Sequence, residues 1–403
     1  MRQSSHCIFC VVRYSTMTTH AATGASQIEH SYDAGFAAAQ QACTQLAPHS
    51  PTCLIAFTTD AYDQAAVVQG IRAASQQAPL IGCCAGGIIS NAGTFTHGVV
   101  LLALASDDLK LDLSLVAGVK ADPGKVADQL ADQLEAVLDN PTSQQAALIL
   151  VDGLAGTLTD FVQHATAAFG PLCPLVGGGA GDSFQFKQTY QFVNDQVISD
   201  GAAVGLLQSP TPMGIGVQHG WEPAARGLVV TRSEGTIIYE LDGRPAFAVY
   251  QELFPDLTVE NFGRFVIDHP IGLPQINGEF LIRDPLRTHP DGSIECIASV
   301  PKNVVAHIMH GSHETLFNAA QLATKRALAA LNGPPAALII FDCVSRLAML
   351  GDAAATEVQR IREVAGLDVP VVGMFSFGEI AAAETGGALF HNKTVVVYAI
   401  GQA

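Results

Sequence analysis

The residues best placed to do chemistry lie in Pro370–Ile380, PVVGMFSFGEI, where Ser376 and Glu379 put a hydroxyl and a carboxylate beside Gly378. Such a pair acts as nucleophile or general base only with a positioned partner. No G-x-S-x-G elbow surrounds Ser376, and the sequence identifies no partner. In an extended segment alternate side chains face opposite ways, so Phe375, Ser376, Phe377 and Glu379 divide between packing and ligand contact. Two imperfect copies lie upstream, Pro79–Ile88 (PLIGCCAGGI) and Pro174–Gly181 (PLVGGGAG). The first adds the adjacent thiols Cys83 and Cys84, badly placed for a mutual disulfide. The second runs on to Asp182, and GGGAGD lacks both the Lys-Ser/Thr ending of a P-loop and the spacing of a dinucleotide fingerprint. A glycine directly after a strand either turns backbone N–H groups toward a bound group or lets two segments pass closely. Three such loops suggest a shared pocket lined by backbone, without naming its occupant.

The elements that must position these loops repeat with them. Apolar runs at Cys53–Phe57, Ala147–Asp152 and Ala337–Asp342 each precede a helical segment and one copy of the loop. Strand candidates Gly98–Ala105, Ala202–Leu207 and Thr394–Ile400 close the three units. Short apolar runs alternating with helices read as βαβ units feeding a sheet. Helices are expected at Tyr32–Leu46, Asp63–Ala74 and Asp122–Leu138, and from a Ser312 cap to Leu331. A hairpin is expected around Asn194-Asp195, and Ser209–Pro212 marks a composition shift. The fold class is therefore α/β, a two-part protein with sheets built from repeated β-α-β units and a ligand cleft between the parts. The expected division is a flexible segment over 1–30, one α/β domain over 31–220 and a second over 221–403.

The 403 residues are 49% hydrophobic and only 14% charged, enough to bury a large core. A net charge of −17 argues against a nucleic-acid partner, which needs clustered Lys and Arg. The longest apolar run, Val99–Ala105, is too short for membrane insertion, and the Cys7–Val12 patch is short for a signal-peptide core. Nine scattered cysteines suit reduced thiols, so a cytoplasmic location is expected. Cys7 and Cys10 form one C-x-x-C beside His6, without the second pair that a zinc site needs. His307, His310 and His313 form H-x-x-H-x-x-H, but a strand over Val304–Met309 sends alternate side chains to opposite faces, and Gly311 interrupts the run.

From about Pro51 onward the chain resembles the FIST family, a sensory domain of signal-transduction proteins. The matching residues are Ala56-Phe57-Thr58, Ile81-Gly82-Cys83, Pro174–Asp182 and Asp200-Gly201-Ala202, then Leu241–Ala246 and Leu281-Ile282-Arg283. Most specific are Phe375–Ile380 followed by Phe390-His391-Asn392-Lys393-Thr394. One departure is Gly86-Gly87-Ile88, where an acidic residue often follows the second glycine. The resemblance implies a ligand-sensing protein whose output passes to partners, with amino acids or other small metabolites as ligands. A free-standing bacterial subgroup binds haem, senses nitric oxide and signals to a histidine kinase or a cyclic-di-GMP enzyme, so haem is the leading cofactor expectation. The implied ligand contacts are Gly82, Cys83, Gly177, Gly178, Gly179, Asp182, Arg283, Phe375, Ser376, Gly378, Glu379 and Asn392. His219, between glycine-rich Met213–Gly216 and Trp221, is the candidate axial ligand. The alternatives are a haem-free metabolite sensor, an enzyme using Ser376, Glu379 or Cys83, and a scaffold that binds only proteins. The oligomeric state is open.

Overall fold

A computed structural model describes residues 18–138, 144–382 and 387–402. The apolar runs become the fully buried strands Cys53–Thr59, Gln144–Asp152 and Pro335–Cys343, buried throughout or nearly so. Each pairs in parallel with the strand that carries the repeated loop: Leu80–Ala85, Leu175–Ala180 and Val371–Ser376 respectively. Parallel pairing requires a crossover, and helices Gln64–Ala74, Leu158–Phe169 and the broken pair Val344–Leu350 and Ala354–Ala365 supply it. A closing strand then returns antiparallel beside the first: Val99–Ala105, Gly201–Ser209 or Val395–Gly401. A leading strand adds to its outer edge: His20–Ser26, Lys110–Ala117 or Met213–Gln218. The α/β class built from repeated β-α-β units is thus present three times over.

Between its second and closing strands each repeat sends out a hairpin, and the hairpin pairs with another repeat's sheet. Ile88–Ser90 with Gly93–Phe95 joins Val371–Ser376 of the third repeat. Gln191–Val193 with Gln196–Ile198 joins Leu80–Ala85 of the first. Glu379–Ala382 with Ala388–His391 joins Leu175–Ala180 of the second. The exchange closes into a ring, and the three six-stranded sheets have equivalent strand orders. Their inner faces share one apolar core, with Ile55, Leu148 and Ile339 as representatives. Helices cover the outer faces; Ser31–Leu46, Pro123–Asp132 and His313–Ala329 each join a leading strand to the following first strand.

Close approach of the two parallel strands within each repeat explains the repeated glycine. A Cβ on Gly82, Gly177 or Gly373 would stand 2.2, 1.9 or 2.4 Å from the carbonyl oxygen of Ala56, Ile149 or Ile340 on the parallel neighbour. The loops beyond these glycines bond to one another. Gly86 N donates to Phe375 O, Gly181 N to Cys84 O, Phe375 N to Gly87 O and Gly179 N to Gly378 O, at 2.8 to 3.1 Å. Of the two roles expected for a glycine after a strand, close passage of two segments is the one seen at these positions. Those N–H groups are spent holding the repeats together, because a buried amide must find a partner.

The third repeat is interrupted by residues 219–312, which form a nine-stranded sheet with its own core around Val230, Tyr250, Phe262 and Ile308. Ser312 then caps the helix His313–Ala329 through a capping box with Thr315. The flexible reading of the start is also corrected in part. His20–Ser26 is a seven-residue strand on Val99–Ala105, because pairing with a buried strand overrides the weak β propensity of HAATGAS. Cys7 and Cys10 lie outside the described residues. Among those described, no helix is long and apolar enough to cross a membrane.

Candidate functional site

In open α/β sheets ligands gather beyond the carboxyl ends of the parallel strands. Beyond three of those ends, from the second and third repeats, the interrupting segment closes a cavity of about 520 Å³. Gly153, Cys343 and Phe377 enter it from the strand ends, and Asp284, Cys296 and Ile267 from the interrupting segment.

One wall is aromatic. Phe184, Phe186 and Phe377 pack with ring centroids 5.5 to 6.4 Å apart. The first two rings remain 45% and 56% exposed, so they present open apolar surface. Both residues have left-handed backbone, φ 58° and 52°, which is unfavourable for a bulky side chain. Asp182 stabilises that conformation. Its carboxylate accepts the backbone N–H groups of Gln185 and Phe186 at 2.9 Å and of Lys187 at 2.7 Å. Strained backbone held by a fully engaged carboxylate is a feature of ligand clamps.

The opposite wall is polar. Asp284 accepts Ser345 Oγ at 2.6 Å and pairs with Lys393 Nζ at 3.1 Å. Lys393 is fully buried, donates to Ile267 O at 2.9 Å and lies over the Trp221 ring. Asn392 is 2% exposed. Its Nδ2 donates to His391 O at 3.1 Å, while its Oδ1 is sealed from solvent with no hydrogen-bond partner. The Cys296 and Cys343 thiols line the cavity, and burial pushes both up, so they stay protonated and unreactive.

Beneath the cavity, Glu379 fastens the third repeat's hairpin. It accepts Ser376 Oγ at 2.9 Å, Thr394 N at 3.1 Å and Thr394 Oγ1 at 2.8 Å. Burial lifts its pKa to about 7 against the lowering effect of those bonds. Ser376, fully buried, also bonds Asp342 O at 3.2 Å. The hydroxyl and carboxylate therefore staple the hairpin, and both are fully buried.

The cavity brings together only part of the expected set. Gly378 and Asn392 line it, and Asp182 fixes its aromatic loop. Phe375, Ser376 and Glu379 are buried below. Gly178 and Gly179 pair with the incoming hairpin, and Gly82 and Gly177 give their missing side chains to strand approach. Cys83 sits in the shared core with Sγ 3.5 Å from Met374 Sδ, out of reach of any ligand, and burial raises its pKa. Arg283 lines a separate cavity.

The histidines also sort differently from expectation. His219 Nδ1 accepts Trp221 N–H at 2.9 Å, and burial lowers its pKa to about 4. It does not line the 520 Å³ cavity, and neither does any other histidine among the described residues. His391 lines a second cavity of about 560 Å³ with Met213, Ile215, Phe280 and Leu389. Burial lowers its pKa to about 4, and its Nε2 is sealed without a partner. His307 and His313 are bonded to the carbonyls of Ala225 and Met349, and among the described residues no three His, Cys, Asp or Glu converge as a metal site.

Sequence reading missed Phe184 and Phe186, whose signal was two large apolar residues in a polar loop after a glycine run. It also missed that Asp284 and Ser345 meet Lys393, since Ser345 and Asp284 are 61 positions apart and only Lys393 belonged to a matched motif.

A model of the FIST N domain matches residues 52–244, and one of the FIST C domain matches 246–382. An uncharacterized protein of Methanocaldococcus jannaschii is 26% identical over 57% of this chain and 48% of its own length, so the chain spans about half of that relative. An uncharacterized protein of Mycobacterium tuberculosis is 25% identical over 85% of this chain and 90% of its own. Among solved structures, T. maritima PurL complexed with ATP aligns over 95% of this chain and 72% of its own, at 10% identity and a TM-score of 0.21, a likeness that carries no argument.

Proposed function

The chain belongs to the FIST family, small-ligand sensors of signalling proteins, and from that premise we propose that the 520 Å³ cavity is its sensing site. The observation that carries the reading is that the cavity sets two half-exposed rings, Phe184 and Phe186, against Asn392, a lining residue whose buried Oδ1 has no hydrogen-bond partner. An unmatched buried acceptor costs free energy until a donor arrives. A ligand with an N–H or O–H group for Asn392 and a flat or apolar part for Phe184, Phe186 and Phe377 complements both walls. Amino acids and other small metabolites have that chemistry. The aromatic loop and the interrupting segment both border the cavity, so a ligand touching both favours one arrangement of the two. A separate histidine kinase or cyclic-di-GMP enzyme would read that arrangement, as the family implies.

Haem does not fit this cavity, which among the described residues offers no imidazole and only protonated thiols. A second reading rests on His391, which lines the 560 Å³ cavity and has a buried, unpartnered Nε2; Met213, Ile215 and Phe280 line it beside the polar Gln275, Glu279 and Arg326. His391 would hold the iron there, Met213, Ile215 and Phe280 would cover the macrocycle, and the iron would supply nitric oxide binding.

The test is a thermal-shift and calorimetric screen of amino acids and small metabolites against wild type, Asn392→Ala and Phe186→Ala. Saturable binding weakened by both substitutions supports the sensing site, and binding that ignores both sinks it. Haem titration followed at the Soret band covers the second reading. A band lost in His391→Ala but kept in His219→Ala supports it, and no saturable band in wild type removes haem.

A further inference from the structure

Four cationic side chains among the described residues are at least nine-tenths buried: Arg72, Arg283, Arg346 and Lys393. Three are matched by acids. Arg72 pairs with Asp195, Arg346 with Asp342 and Glu357, and Lys393 with Asp284. Arg283 is 5% exposed and has no carboxylate partner among the described residues, in a chain with a net charge of −17. A buried guanidinium cannot shed its charge, and leaving one uncompensated is costly.

Its surroundings show what is missing. Nε donates to Ser299 O at 2.8 Å, and Nη1 donates to Ile282 O at 3.1 Å and Phe390 O at 3.3 Å. Those bonds fix the guanidinium plane and use neutral acceptors only. Nη2 makes no hydrogen bond among the described residues, yet it is not one of the polar atoms sealed from solvent. Arg283 lines a cavity of about 680 Å³, and Nη2 is its one guanidinium nitrogen without a hydrogen bond among the described residues. Val162, Leu281, Val304 and Leu389 give that cavity apolar walls, and Arg283 is the single charged residue lining it among those described. Desolvation lowers the Arg283 pKa to about 10, which still leaves it charged at neutral pH.

We infer that the 680 Å³ cavity is a second ligand site, specific for an organic monoacid: one carboxylate on Arg283 Nη2 and an apolar body against Val162, Leu281 and Val304. One fixed cation with free donors matches one carboxylate, and charge-assisted bonds of this kind are the strong ones. A nucleotide or other polyanion finds no second cation there. The site is separate from the Asn392 cavity, so its fate does not depend on the sensing reading.

The experiment is isothermal titration of the full chain with butyrate, 4-methylpentanoate and phenylacetate. Parallel runs use 4-methylpentanamide, which keeps the body and loses the charge, and inorganic phosphate, which keeps charge and loses the body. Saturable one-to-one binding of an acid is expected, with the amide weaker by about tenfold or more, the size of one charge-assisted contact. Phosphate should not compete. Arg283→Gln should abolish binding. Because that substitution also disturbs three backbone bonds, Val305→Trp serves as a second variant. Val305 lines the cavity, is 46% exposed and can be enlarged without entering the core. Val305→Trp should keep the melting temperature and lose binding. Equal affinity for acid and amide, binding retained in both variants, competition by phosphate, or no saturable binding by any of the three acids overturns the inference.

Discussion

Replacing Glu379 by glutamine should remove a specific part of the protein's pH-dependent stability. Glu379 is fully buried, and its pKa rises from the ordinary 4.5 to about 7, with desolvation as the largest cause. Its folded-state pKa therefore lies above its unfolded value. Below about pH 4.5 both states hold the proton, and the group costs nothing. Between about 4.5 and 7 the folded state keeps a proton that the unfolded chain has lost, so stability falls as pH rises. Above about 7 the loss is complete and constant. At about 1.4 kcal/mol per pH unit the full effect is about 3 kcal/mol. Glutamine keeps an acceptor for Thr394 and can donate to Ser376 Oγ, so the staple survives without the ionisation. Removing the Glu379 charge also relieves Asp342, whose pKa it helps to raise, and this adds in the same direction. The neutral His219 and His391 contribute an opposite slope at acid pH, common to both proteins. The assay is urea unfolding of wild type and Glu379→Gln at intervals from about pH 4.5 to pH 8. The stability difference should move in favour of the variant by about 3 kcal/mol over that range and then level off. A difference that stays flat with pH refutes the reasoning.

Gly177→Ala should cost about 3 kcal/mol in chemical denaturation, since its Cβ would meet Ile149 O at 1.9 Å with φ at +152°. Arg346→Gln should cost about 3–5 kcal/mol by the same measurement, because it strands buried Asp342 and Glu357 against each other. Adding Glu357→Gln should recover part of that loss. Asp182→Ala should barely change the melting temperature yet open residues 183–187 to protease, as three backbone N–H groups lose their acceptor. Ligand affinity at the aromatic wall should fall with it.

Local order was largely legible in the sequence. The three apolar runs, the first crossover helix, the Ser312 cap and the hairpin around Asn194-Asp195 all appear where composition and spacing put them, while the helix expected over Asp122–Leu138 breaks after Asp132. The FIST resemblance also led to Asn392 and Gly378, both on the cavity wall. These features are local because caps, turns and strand burial depend on neighbours a few residues away.

The assembly was not legible. A buried strand pattern says that both faces are covered but not by which partner. Nothing in Glu379–Ala382 announces that it completes the second repeat's sheet, and only the paired strands show the repeated glycines as points of close strand approach. His219 and His391 look alike as residues, and only packing seals one nitrogen of His391 from solvent without a partner. Arg283 is one cation among twenty in the sequence, and burial without a counter-ion is what sets it apart. The sequence determined which segments become strands, helices and turns, because those depend on each residue's own propensity and burial. Tertiary structure decided which buried polar groups find partners and which stay open to a cavity, because a hydrogen bond or ion pair depends on distances between residues far apart in the chain.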